Sequence, residues 1–119
     1  MLTILAVGQD SELLSTRAAV LRKCNAGVIS ASPLDAPLIL KAQPFDLVVL
    51  CHTLSPDEMN NLILVAHQQA SEVQVLEVLD AVESSWNRQP SGADDIAQAK
   101  PEALVAKVTE MLSVSARAR

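Results

Sequence analysis

The stretch Phe45-Asp46-Leu47-Val48-Val49-Leu50-Cys51-His52-Thr53-Leu54-Ser55-Pro56 decides how this chain is read. From Leu47 to Cys51 the residues are apolar and partly β-branched. Pro44 precedes the run and Ser55-Pro56 follows it. A short apolar run bounded in this way reads as a strand buried on both faces. In an open α/β sheet, chemistry sits just past the carboxyl end of such a strand. The residue at that place is Cys51.

Outward from this strand, helical and strand patterns alternate. Leu2 to Val7 is an apolar run ending at Gly8 and is expected to be the first strand. Asp10 or Ser11 can cap a helix through Asn25, because their side-chain oxygens accept free amide hydrogens. Its buried stripe is expected to be Leu14, Ala18 and Leu21, with Arg17, Arg22 and Lys23 toward water. Gly27 to Ser30 is a short second strand. A second helix, with Asp35 as cap and Pro37 in its first turn, runs to Ala42 and stops before Pro44. After the third strand, Ser55 as cap and Glu58 three residues on make a capping box around Pro56. Met59, Leu62, Ile63 and Ala66 then line one helical face. Val73 to Leu79 reads as a fourth strand. This β-α-β-α-β-α-β order implies a parallel sheet with right-handed crossovers.

Beyond Leu79 the periodicity breaks. Asp80 to Asp95 contains Ser84-Ser85, Pro90 and Ser91-Gly92, so at most a short turn is expected around Val82 to Trp86. Ile96 to Ala99 is a weak fifth strand. A last helix starts at Pro101 and carries Leu104, Val105, Val108, Met111 and Leu112 on one face. The domain is expected to span residues 1–113, with 114–119 as a disordered tail.

Composition narrows the class. The 119 residues allow one domain. Hydrophobic residues make up 50% and charged residues 19% of the chain, which favours a globular reading over disorder. A formal net charge of -5 argues against nucleic acid as a direct partner. No apolar run approaches the roughly 18 residues of a membrane span, and Met1-Leu2-Thr3 has no basic n-region of a signal peptide. Cys24 and Cys51 lack metal or redox spacing, which suits a reducing cytoplasm.

The order of these motifs resembles the response-regulator receiver domain over nearly the whole chain. Ala36-Pro37-Leu38-Ile39-Leu40-Lys41 followed by Phe45 to Leu50 is similar to that family's second helix and third strand. Gly92-Ala93-Asp94-Asp95 is similar to the turn before its fifth strand. The resemblance implies a flavodoxin-like, three-layer α/β/α fold with a five-stranded parallel sheet in the order 2-1-3-4-5. The pattern break after Leu79 leaves the family's fourth helix lost or shortened.

The family's chemical positions are departed from. It carries acidic metal ligands after the first strand, where this chain has Gly8 and Gln9, with Asp10 one step further. Its phosphoacceptor Asp is replaced by Cys51, a soft ligand poorly matched to Mg²⁺. Its hydroxyl residue after the fourth strand corresponds to Leu79. Its late Lys falls on Ala99, or on Lys100 with a shift of one. The resemblance is therefore to a degenerate member, a pseudo-receiver in two-component signalling. No metal, no cofactor and no catalytic residue are expected.

Several residues admit two readings. Cys51 is either a reactive thiol, giving a redox sensor or small thiol enzyme, or a buried apolar filler. A cavity lined by Gly8, Gln9, Cys51 and Leu79 would instead mark a small-ligand sensor. His52 and His67 have no third ligand within readable spacing. Asp57 and Glu58 suit the positive end of a helix, and Asp94 and Asp95 a solvated turn. Glu77 interrupts the fourth strand and is expected to face water where the fourth helix is missing, or else to touch a partner. Trp86 either packs under its loop or anchors a partner contact. The function expected is a non-catalytic module that works by protein contact, as a homodimer or a signalling adaptor.

Overall fold

Strand β3 (Leu47–Leu50) lies in the middle of a five-stranded parallel sheet, and all four of its side chains are fully buried. Burying a Val or Leu side chain completely contributes about 1.5–3 kcal/mol each. This computed structural model describes residues 2–24, 26–51, 54–69, 73–79, 95–98 and 100–118. Its elements follow in order: β1 (Thr3–Val7), α1 (Ser11–Leu21), β2 (Gly27–Ala31), α2 (Ala36–Ala42), β3, α3 (Pro56–Gln69), β4 (Gln74–Leu79), β5 (Asp95–Gln98) and α4 (Pro101–Ala118). A 3-10 turn at Arg22–Cys24 closes α1.

The strand order is β2-β1-β3-β4-β5, as the resemblance implied. Val7 pairs with Leu50 and with Ala31, and Leu50 pairs with Glu77. The carboxyl ends of the first four strands therefore lie side by side. Alternation splits the core in two. Ile4, Ala6, Leu47, Val49 and Cys51 pack with residues of α1 and α4 on one face. Leu5, Val7, Val48, Leu50 and Val75 pack with residues of α2 and α3 on the other.

Local chemistry accounts for the helix starts. The Asp10 carboxylate accepts from the amides of Glu12 and Leu13 at 3.1 and 3.2 Å, satisfying donors that have no partner within the helix. At α3 the capping box is reciprocal. The Glu58 amide donates to Ser55 Oγ at 3.2 Å, and the Ser55 amide donates to Glu58 Oε1 at 2.9 Å. Asp35, by contrast, makes no side-chain cap to α2 and instead accepts from the Ser32 hydroxyl.

Three expectations change. Helix α1 ends at Leu21 rather than Asn25, because the chain tightens into the 3-10 turn. Helix α4 runs on to Ala118, through residues expected to form a tail. Arg17, expected in water, is 6% exposed, because it falls on the inner face of α1 with Leu14, Ala18 and Leu21. The fate of the family's fourth helix lies outside the described residues. Replacing Ser55 by Ala removes one half of the α3 capping box. Urea unfolding is expected to show a loss of about 1 kcal/mol; an unchanged midpoint would contradict the capping role.

Candidate functional site

The carboxyl ends of β1 and β3 are joined by backbone. The Cys51 amide donates to the Val7 carbonyl at 2.9 Å, and the Gly8 amide donates to the Ala31 carbonyl at 3.3 Å. Gly8 and Cys51, singled out from the sequence, are thus held on adjacent strand ends, and both are buried. Gln9 is exposed. Its side-chain amide donates to the Glu58 carboxylate, so the loop after β1 is tied to the first turn of α3. Asp10, the one early acidic residue, is used as the α1 cap.

Cys51 is 1% exposed and lies in the core cluster shared with α1 and α4. Burial pushes its thiol pKa up; a hydrogen bond from Arg17 and the guanidinium charge pull it down more weakly. The charged form of a thiol is disfavoured in apolar surroundings, and a neighbouring cation offsets this in part. The thiol is therefore the form present near neutral pH. Arg17 is the site residue that sequence reasoning missed. Its i+3 and i+4 spacing from Leu14 and to Leu21 placed it on the inner stripe, but its charge argued for water.

Other expected residues fall differently. Glu77 is 2% exposed and has an interaction partner, so the expectation that it faces water is corrected. It is paired with Leu50 of β3 and Ile96 of β5, so strands flank it on both sides in the sheet. Leu79 ends β4 beside Gln98. Lys100 is exposed and its carbonyl accepts from the Leu104 amide at the start of α4. His67 is half-buried in the last turn of α3. His52, Trp86, Asp94 and Ala99 lie outside the described residues. Among the described residues, no three of His, Cys, Asp and Glu come together as metal ligands would. A cleft of about 280 Å³ lies at the opposite end of the molecule, lined by Leu40, Pro44, Phe45, Ala66, Gln69 and Val73 among others. It is not the cavity at Gly8, Gln9, Cys51 and Leu79 that a ligand sensor would use.

Compared with solved structures, the chain is similar to a receiver-domain protein of Methanospirillum hungatei, with a TM-score of 0.75 and 19% identity over 100% of this chain and 99% of that one. The fold is that of response-regulator receiver domains. A chemotaxis protein of Vibrio cholerae matches with a TM-score of 0.75 and 16% identity, covering 93% of this chain and 98% of that one. An uncharacterized protein of Neptuniibacter caesariensis gives a TM-score of 0.78 at 15% identity, over 96% of this chain and 89% of that one. No family model matches the sequence, and no curated protein matches it.

Two outcomes follow from this receiver-like end of the sheet. Glu58 has its pKa lowered, first by the Ser55 amide and then by the Gln9 and Ser55 side chains. Its folded value lies below the unfolded one, so its stabilisation is full above the unfolded value and is lost as pH falls through the folded value. Gln9→Ala and Ser55→Ala are each expected to flatten the acid limb of the stability–pH curve, measured by urea unfolding. Thiol labelling of the native protein near neutral pH is expected to modify the half-buried Cys24 first and Cys51 slowly, with Cys51 reacting freely only in denaturant. Prompt native labelling of Cys51 would contradict the raised pKa.

Proposed function

We propose that this chain is a receiver-like signalling module that works by protein contact and carries no aspartyl phosphate. The observation that supports this most is Cys51, buried against Arg17, at the carboxyl end of β3. A thiol cannot form the acyl phosphate of a receiver, and phosphoryl transfer to a carboxylate also depends on positioned charge neutralisation. The described donors beside it do not fit a hard divalent cation, which takes several carboxylate or carbonyl oxygens. Gly8 is buried with its amide bonded to Ala31, Gln9 is tied to Glu58, and Asp10 is committed to the α1 cap. Arg17 already supplies a fixed positive charge there, which disfavours a second cation at close range.

Contact with protein is supported by the exposed leucines, Leu34 and Leu38 at 84% and 70% exposure and Leu64 on α3. Trp86 remains a proposed anchor of such contact. No helix among the described residues is long and apolar enough to cross a membrane.

A second reading, a thiol redox sensor at Cys51, draws on the Arg17 guanidinium, which favours a thiolate. Burial outweighs it, so the contact module is the preferred function. Incubation with acetyl phosphate and Mg²⁺, followed by intact-mass analysis, is expected to leave the mass unchanged. Gain of one acid-labile phosphoryl group would overturn the proposal.

A further inference from the structure

Among the described residues, strand β2 forms one edge of the sheet and is bonded to β1 alone. Two hydrogen bonds fix which of its groups face inward. The Gly27 amide donates to Leu2, and the Ala31 carbonyl accepts from Gly8. Since backbone direction alternates along a strand, Gly27, Ile29 and Ala31 turn their polar groups to β1. Val28 and Ser30 therefore turn theirs outward. Ser30 is exposed and Val28 is half-exposed.

This edge lacks the usual guards. Gly27-Val28-Ile29-Ser30-Ala31 holds no charge, no Pro and no long polar side chain. Natural proteins blunt free edges with such residues to prevent strand addition. The charges flank the strand instead, and they are of opposite sign. Exposed Arg22 and Lys23 precede it, and exposed Asp35 follows it. Exposed Leu34 and Leu38 stand at the same carboxyl end.

We propose that β2 is a homodimerisation edge, on which a second copy of this chain adds its own β2 antiparallel, about a two-fold axis at Ile29. In that arrangement Val28 of one copy and Ser30 of the other form a hydrogen-bonded pair, twice over, and Ile29 meets its symmetry mate. The antiparallel sense also brings the Arg22-Lys23 end of each copy to the Asp35 end of the other. Parallel addition would instead place like charges together. A surface with these two properties is self-complementary, which a two-fold dimer requires. The charge pattern selects a second copy over an unrelated strand, because this chain's own edge supplies the matching charge at each end. The proposal rests on the reading of the chain as a contact module and names the surface and partner.

Sedimentation of the whole chain tests it, at concentrations from about 10 µM to about 1 mM, the range of small interfaces. The weight-average mass is expected to rise from 12.7 kDa toward twice that value. Ser30→Pro removes an outward amide and leaves the bonds to β1 intact, a substitution that edge strands tolerate. It is expected to weaken association by about tenfold or more, with an unchanged circular dichroism spectrum. If that variant does not fold, Ser30→Lys, a charge on the same exposed position, is expected to weaken association equally. Asp35→Lys alone should weaken the dimer, and Asp35→Lys with Lys23→Asp should restore it. Wild-type mass constant at the monomer value overturns the proposal, as does a dimer indifferent to the Ser30 substitutions. Neither result bears on the acetyl phosphate experiment, so the two proposals fail separately.

Discussion

Asp46 ties together the amino ends of the three central strands. Its carboxylate accepts from the Thr3 amide at 2.7 Å, its own amide donates to the Thr3 carbonyl at 2.9 Å, and its carbonyl accepts from Gln74 at 3.4 Å. A buried carboxylate is costly unless hydrogen-bonded, and here those bonds also set the relative position of β1, β3 and β4. A shift of one residue would turn every side chain of a strand to the opposite face. Cys51 would then leave the α1–α4 core. The geometry at the carboxyl ends is thus decided at the other end of the sheet.

From that register follows the balance at Cys51. Its side chain points into an apolar layer, so desolvation dominates its ionisation, and Arg17 only moderates it. The same layer accepts Arg17 because a long side chain can leave the inner stripe of a helix and carry its charged group toward a strand end. The positive charge beside Cys51 is therefore that of a side chain on α1.

Much of this was legible from residue types. The run Leu47 to Leu50 announced a doubly buried strand, and Ser55 with Glu58 announced the start of α3, because both signals are local. The strand order came from the resemblance, since pairing between β2 and β1 leaves no mark on either segment alone. Arg17 was misplaced because of its charge, and Glu77 because its face was expected to be open where the fourth helix is missing. Charge argues for water in any single stretch, and only tertiary packing decides whether a charged group on an inner face is covered. The extent of α4 was also missed, since Ser113 to Ala118 lacks the apolar stripe that marks its first three turns. Gln9 offered no signal at all: its partner Glu58 lies far along the sequence and was already assigned to a cap.

The Gln9–Glu58 link has a wider meaning for this end of the sheet. The loop after β1 and the first turn of α3 are clasped by an amide and a carboxylate, both supplied by the chain itself. A clasp of that kind needs no ion from solution. Its strength follows the charge on Glu58, so acid that protonates this carboxylate loosens the hold of α3 on the loop after β1.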